Sequence, residues 1–476
     1  MTWPGCSPRV CLTCKAGKRK CDKSLPTCSR CARLKVNCKY EVPYNASALP
    51  QPAVLHPETW ISWLSNAYAS FHHDPAPYRQ HVETYFATID NWLPILHKEA
   101  FIEGFRDRPF TLDFLLLMSM CLIVQRPDKQ SPEGYMDNEQ YHAVKHYFCH
   151  EVADSASSPS IRLVQAGVLL ATYEYGHGMI DAAYNTIYSC ISTSITLRIH
   201  CSEHPQDIEL DSAWRHQTEG LRVWWAVVIS ERIFCLSNPT SYRLPITRVR
   251  NESTYLSDLD ISEGKSDKRD IATGETSLEA NFYRQFQASV LIGRVLELIC
   301  DPPQAPDQIR SRVRVLDLQL RRAIEINLGA ENSRLNSVSE ALAMNRSSLV
   351  ILHQWNRDSS QTSQCSETTS QSHMVIESMT TLMMDTVHDF LPRIYSGWPK
   401  SHHPHGAQPV YLAALALLLK QGSPKRRTDL GALKEMLRLQ SRRWSVAGIY
   451  NILCVRWPTD LLAANYLEDL NKCPSF

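Results

Sequence analysis

Six cysteines near the N-terminus repeat one spacing twice. They follow C-x2-C-x6-C-x6-C-x2-C-x6-C and are Cys11, Cys14, Cys21, Cys28, Cys31 and Cys38. The repeated C-x2-C-x6-C unit predicts two equivalent halves. Thiolates at this spacing are zinc ligands, and zinc prefers four of them in a tetrahedron with Zn–S bonds of about 2.3 Å. The pattern therefore predicts a zinc centre.

The number of thiolates sets the number of metal ions. Six sulfurs complete two tetrahedra only if two of them are shared, so the pattern predicts two Zn²⁺. Cys11 and Cys28 hold equivalent places in the two halves and are the predicted bridging ligands. Six thiolates and two zinc ions carry a net charge of −2, which neighbouring lysines and arginines balance.

Charge is distributed unevenly along the 476 residues. Residues 1–50 contain ten Lys and Arg against two acids, a net charge of +8, whereas the rest has 40 basic and 47 acidic residues, a net charge of −7. A basic head on a mildly acidic body is typical of a polyanion-binding module attached to another domain. A disulfide-linked secreted head is the first alternative, disfavoured because residues 1–10 contain no signal-like apolar stretch. A zinc module that binds protein is the second, and the +8 charge argues against it.

The head resembles the DNA-binding domain of the fungal binuclear zinc-cluster (Zn2Cys6) transcription factors. The resemblance covers all six cysteines, the basic run at 15–20 and Pro26. It implies two short helices, of which the first enters the major groove of double-stranded DNA at a CGG-like triplet. Gly17 departs from the family pattern, since many members carry a basic residue there, and it lowers helix propensity by about 1 kcal/mol.

The same resemblance implies a set of DNA-contacting side chains. Lys18 matches the lysine that contacts bases, while Lys15, Arg19 and Lys20 match residues near phosphates. We also include Arg30 and Arg33 in the predicted DNA-binding set.

The remainder of the chain has helical periodicity. We predict a zinc-cluster domain at 1–40, a proline-rich linker at 41–57 and an all-α regulatory domain at 58–476. Two polar stretches, near 252–279 and 358–373, are predicted to be disordered loops in this domain. Helices are predicted over about 58–71, 79–92, 111–124, 139–153, 160–174, 180–198, 214–236, 281–300, 306–328, 335–355, 374–395, 408–420 and 429–454.

Residues 79–245 resemble the fungal-specific transcription factor domain. The resemblance lies in three stretches, 85–101, 182–200 and 219–239, and it is more diffuse than the cysteine pattern. Leu221 and Glu231 depart from the residues usual there. These stretches are rich in aromatic side chains and are predicted to form core, with Glu231 beside Arg232 in a partly buried charge network.

Motifs for other functions are missing from the sequence. It contains no G-x-S-x-G and no H-E-x-x-H, and the 176–178 segment lacks the glycine spacing of a phosphate loop. A metal at 402–405, with three histidines in a proline-broken loop, is a weak alternative because no acid lies nearby in sequence. The longest apolar run, Phe114–Val124, is shorter than the ~18 residues that span a bilayer. We therefore expect a protein that is not an enzyme, is not secreted and does not span a membrane.

These observations predict a nuclear, RNA polymerase II type transcription regulator that works with the transcription machinery. The alternative from another class is an adaptor whose zinc head binds protein. Family members often dimerise through a coiled coil after the cluster, but residues 60–71 give fewer than two heptads. The sequence thus leaves open whether this protein forms a homodimer.

Overall fold

The computed structural model describes two compact units, residues 1–54 (the head) and residues 55–474 (the body). The residues that the structure describes are 13–14, 19–22, 28–34, 57–107, 113–127, 136, 138–154, 159–201, 212–237, 242–256, 259, 278–331, 340–360, 366–396, 403–419 and 424–456. The predicted linker, apart from Pro57, lies outside them.

The head contains helix α1, Ser29–Leu34, which begins directly after a cysteine. Thr13 and Cys14 are also helical, at the place where the resemblance implies the first short helix. The Asp22 carboxylate accepts hydrogen bonds from the Ser29 N–H, at 3.1 and 3.2 Å, and from the Ser29 hydroxyl. A carboxylate at the start of a helix accepts hydrogen bonds from N–H groups that have no partner within the helix. Its negative charge also interacts favourably with the positive end of the helix dipole.

The described part of the body is mainly helical, as the sequence predicts: 84% of its described residues are in helices, and none of them lies in a strand. Its helices are α2 (Pro57–His73), α3 (Ala76–Thr88), α4 (Lys98–Asp107), α5 (Phe114–Ile123), α6 (Glu139–Asp154), α7 (Ile161–Gly176), α8 (Ile180–Thr196), α9 (Ser212–Ser237), α10 (Glu252–Leu256), α11 (Leu278–Cys300), α12 (Pro306–Glu331), α13 (Glu340–Ser360), α14 (Ser366–Ser396), α15 (Ala407–Leu418), α16 (Pro424–Gln440) and α17 (Ser445–Arg456). Short 3₁₀ turns lie at Ile199–Cys201 and Pro404–Gly406.

Helix α7 lies at the centre of the body. Every residue from Leu163 to Gly176 is buried, and the helix packs against α5, α8 and α9. Its first turn is capped by the Ser160 hydroxyl, which accepts hydrogen bonds from two backbone N–H groups. At its last residue, Gly176, an added Cβ would lie 2.2 Å from the Trp444 ring. Glycine is required there because the indole occupies the space of a side chain.

The second part of the body is a further layer of packed helices. Helix α11 packs against α9 and α13, and α13 packs against α12 and α14. Helices α15, α16 and α17 pack on one another, and α15 also contacts α14. The Gln408 side chain of α15 donates to the Leu236 carbonyl of α9 at 3.1 Å, which links this layer to the central helices.

Glu231 and Arg232, predicted to lie in a partly buried charge network, are both buried. The Glu231 carboxylate accepts hydrogen bonds from the backbone N–H groups of Ile246 and Thr247, at 2.7 and 3.2 Å. The Arg232 guanidinium donates to the Ser289 carbonyl at 2.9 Å. Adjacent residues on a helix point about 100° apart, so the two charges bond to different partners rather than to each other.

Parts of the two segments predicted to be disordered are helical. Residues 252–256 form α10, 358–360 end α13, and 366–373 begin α14. Polar composition misled the prediction because these side chains find partners in the fold. Buried Ser372 bonds to His353 Nδ1 at 3.1 Å and accepts from Asn356 Nδ2 at 2.9 Å. Residues 260–277 and 361–365 lie outside the described residues.

The C-terminal helix predicted over 429–454 is two helices, α16 and α17, joined by a turn at 441–444. The Arg443 guanidinium in this turn donates to the carbonyls of Ile123, at 2.6 Å, and Gln125, at 3.0 Å. These carbonyls lie at the end of α5, so the long-range contact favours an interruption that periodicity does not show. Helix α4 is also absent from the sequence prediction.

Candidate metal centre

Three of the predicted zinc ligands form a buried cluster in the head. Cys14, Cys28 and Cys31 are each fully buried. The Cys14 sulfur lies 3.8 Å from that of Cys28 and 3.9 Å from that of Cys31. Two ligands of a tetrahedral zinc with bonds of ~2.3 Å are separated by about 3.8 Å. The sulfurs are therefore spaced as ligands of a zinc ion are.

Cys28 also belongs to a second group of potential ligands. Its sulfur, that of half-buried Cys21 and a carboxylate oxygen of Asp22 lie within 4.8 Å of one another. Among the described cysteines, Cys28 is the one that belongs to both groups, as expected of a bridging ligand. Cys11 and Cys38 lie outside the described residues, and the full set of six ligands stays a prediction.

The backbone of α1 positions two of these sulfurs. A spacing of three residues places Cys28 and Cys31 one helical turn apart, and the Cys31 N–H donates to the Cys28 sulfur at 3.4 Å. Amide donors and the positive end of a helix stabilise a thiolate. On the other side, the Arg19 N–H donates to the Cys14 carbonyl at 2.9 Å.

Sequence reasoning missed the role of Asp22. This acid stands between the cysteine half-motifs, and its bonds to Ser29 tie the first half to the helix of the second. The position of Asp22 in the sequence could have indicated this role, because it is the one acid in the first 40 residues.

The described DNA-contact candidates lie on the surface of the head. Arg19, Lys20 and Arg33 are exposed, and Arg30 is half-buried. Lys15 and Lys18 lie outside the described residues. Exposed cations in the same unit as the cysteine cluster provide charges that are available to a polyanion.

The histidine cluster near residue 403 packs as part of the body core. His403 and His405 are buried, with ring centres 6.4 and 6.2 Å from the Trp92 ring. Burial lowers the pKa of His405 well below its usual value. Within the described ranges, groups of three potential metal ligands occur in the head and not around these rings.

Asp90 is an unusual acid in the body because it is buried in the turn after α3. Burial raises its pKa to about 7, against the attraction of Arg222 and Lys98. One carboxylate oxygen of Asp90 and the Tyr85 hydroxyl, both buried, have no hydrogen-bond partner among the described residues. The loss of solvent on burial outweighs the attraction of the two cations and favours the neutral form of this acid.

Helices long and apolar enough to cross a bilayer do not occur in the part of the chain that the structure describes.

Comparison with known protein families gives two matches. Residues 9–47 match the fungal Zn(2)-Cys(6) binuclear cluster domain. Residues 82–324, just over half of the chain, match the fungal-specific transcription factor domain. The second match begins in α3 and ends in α12, so α13 to α17 lie beyond it.

Individual relatives are similar over shorter segments. Transcription factor BOA15 of Botryotinia fuckeliana is 27% identical over 125 residues, which cover 26% of this chain and 67% of that protein. Regulator of drug sensitivity 1 of Saccharomyces cerevisiae is 54% identical over 39 residues, 8% of this chain and 5% of that protein. Transcription factor gsfR2 of Penicillium aethiopicum is 47% identical over 36 residues, 8% of this chain and 9% of that protein. The aligned part is thus a small fraction of the length of the last two.

Proposed function

Since this chain belongs to the family defined by the fungal-specific transcription factor domain and carries a Zn2Cys6 domain, we propose that it is a sequence-specific regulator of transcription by RNA polymerase II. This family is not an enzyme class. The observation that carries the proposal is the 3.8 and 3.9 Å spacing of the buried sulfurs of Cys14, Cys28 and Cys31.

The head holds two Zn²⁺ in this proposal. Cys11 and Cys28 bridge the two ions, and Cys14, Cys21, Cys31 and Cys38 each bind one. Zinc bound in this way holds the short head in one conformation. The membership of Cys28 in both ligand groups supports its bridging role.

DNA binding then follows from the rigid head and its exposed cations. Lys18 donates to guanine acceptors of a CGG-like triplet in the major groove. Lys15, Arg19, Lys20, Arg30 and Arg33 neutralise phosphates, which fixes orientation without conferring sequence preference. The exposure of Arg19, Lys20 and Arg33 supports their place in this set.

The body regulates output in the nucleus by contact with the transcription machinery. Its acidic balance makes it unsuited to bind DNA itself. A single copy of the chain would recognise one triplet, whereas two copies would recognise two triplets at a fixed spacing.

Selection of bound duplexes from a random DNA pool by the full zinc-loaded chain tests this proposal. We expect enrichment of one CGG-like triplet, or of two at a fixed spacing. Native mass spectrometry should show two zinc ions per chain. Cys28→Ser should lose both metal ions and selectivity, whereas Cys149→Ser, at an exposed cysteine of the body, should retain both. A pool with no enriched sequence, despite two bound zinc ions, would favour a head that binds protein.

A further inference from the structure

A cleft lies in the seam where α13, α14 and α15 meet. It has a volume of about 130 Å³, and its walls include Arg357, Ile376, Glu377, Thr380, Ala416 and Leu419. A smaller cavity along the same seam shares Thr380 and reaches Met379 and Met383. All these residues lie beyond the segment that matches the family domain, so that match assigns them no role.

Among the described residues, one cation that lines the cleft, Arg357, uses only part of its donor set. The Arg357 Nε donates to Asp358 at 3.0 Å, and its two terminal nitrogens make no hydrogen bond with the described residues. The acid at this rim, Glu377, lies 3.8 Å from the Nδ1 of His373. A guanidinium with two free terminal nitrogens matches the two oxygens of a carboxylate.

Three apolar residues, Ile376, Ala416 and Leu419, line the cleft beside its polar residues, which also include Gln354 and His373. Ile376 and Ala416 are buried along the seam, and Leu419 is 42% exposed at its mouth. Met379 and Met383 line the smaller cavity beyond the shared Thr380, and methionine side chains adapt to irregular shapes. An apolar chain that enters from Arg357 would remove the exposed Leu419 surface from water.

The size of the cleft restricts its occupant. Sites for drug-sized ligands have volumes of about 300–1,000 Å³, so a cleft of about 130 Å³ fits a smaller molecule. We propose that this cleft binds a short-chain alkyl carboxylate, with the carboxylate on Arg357 and the hydrocarbon along Ile376, Ala416 and Leu419. The site lies within the body, so this proposal does not depend on DNA binding.

Hexanoate is a suitable probe, with hexan-1-ol and hexylamine as controls of matched length. Ligand-observed NMR with the full zinc-loaded chain should show saturable binding of hexanoate and much weaker binding of the alcohol and the amine. Hydrogen bonds to charged groups contribute about 1.5–3 kcal/mol, so Arg357→Gln should raise the Kd for hexanoate about 10- to 100-fold. Arg314→Gln should leave it unchanged, since that exposed arginine of α12 lies outside the cleft.

A second variant tests the apolar wall independently of the charge. Ala416→Met places a longer side chain in the cleft and should abolish hexanoate binding, while circular dichroism checks that the helices remain. Equal binding of hexanoate, hexanol and hexylamine to the unaltered chain would overturn the proposal. So would the absence of saturable hexanoate binding, or affinity that neither Arg357→Gln nor Ala416→Met changes.

Discussion

In the described part of the head, the fully buried side chains are those of Cys14, Cys28 and Cys31, whereas the body buries a continuous core of aromatic and aliphatic side chains. A chain of about 50 residues buries too little apolar surface to be stable without help. Metal–thiolate bonds supply that stabilisation in the head. The body depends on packing, so the same chain contains two units whose stabilities respond to different chemistry.

The head and the body also differ in how they accommodate buried charged groups. In the body, Glu174 is paired inside the fold: its carboxylate lies 2.6 Å from the Lys145 ammonium and accepts from the Tyr141 hydroxyl at 2.9 Å. In the head, the buried thiolates balance metal charge, and the exposed cations are left available for a partner. The body thus satisfies this buried charge internally, while the head presents its cations to solvent.

The largest expected effect separates the two units directly. Removing zinc from the reduced full chain should unfold the head and leave the body folded, because structural zinc contributes about 10–16 kcal/mol to small zinc domains. Hydrogen exchange measured by mass spectrometry should show lost protection across residues 11–38 and unchanged protection in α7 and α11. Protection that persists in the head, or that is lost in both units, would contradict the distinction.

A packing change should affect the body alone. Gly176→Ala places a methyl group against the buried Trp444 ring, and overpacking of this kind costs about 1–3 kcal/mol or more. The matched control is Gly431→Ala in α16, where an added Cβ meets no atom within 4 Å. It should stabilise the body by about 0.5–1 kcal/mol through helix propensity. Urea unfolding measures both changes; destabilisation of similar size in the two variants would mean that the indole contact is not the cause.

Asp90 should make the stability of the body depend on pH. Its pKa is raised in the folded state to about 7, so the folded chain holds this proton more tightly than the unfolded chain. The resulting stability is fully present below about pH 4 and is lost as the pH rises to about 7. The stability difference between Asp90→Asn and the unaltered chain should therefore shift in favour of the variant by about 2.5 kcal/mol between pH 5 and pH 8.

Urea unfolding at the two pH values checks this difference. Asp181→Asn is the control, because that acid is 89% exposed, and its effect should be the same at both pH values. A pH-independent effect of Asp90→Asn would show that the buried acid is ionised throughout.

Substitutions of lysines in the basic run at 15–20 should have the smallest effects and should leave both folds intact. Lys18→Ala should reduce the ratio of affinities for the selected and scrambled duplexes by up to about 1–3 kcal/mol. Lys20→Ala should weaken both duplexes alike and lower the salt slope by about one unit. Fluorescence anisotropy at several salt concentrations measures both quantities. An equal loss of affinity for the two duplexes in Lys18→Ala would show that another residue contacts the bases.

The two units also differ in how far sequence predicts them. Cysteine spacing alone predicts the cluster of Cys14, Cys28 and Cys31, since ligand chemistry restricts the arrangements that satisfy zinc. Apolar periodicity predicts most helices of the body, because a helix buries one face whatever its neighbours are. The partners of buried polar groups are not predictable locally. Ser372 contacts His353 and Asn356, and Arg443 contacts the end of α5, so both depend on residues distant in sequence. These contacts explain why α14 begins earlier than predicted. They also explain why the helix predicted over 429–454 is interrupted between α16 and α17.

We propose that a zinc-dependent head gives this chain its DNA selectivity. The most direct test is fluorescence anisotropy of the full chain on the selected duplex and on a scrambled one, with zinc and after its removal. We expect tight and selective binding with zinc, and loss of selectivity without it while the body remains folded. Equal affinity for both duplexes with zinc bound, or selectivity that survives zinc removal, would contradict the account.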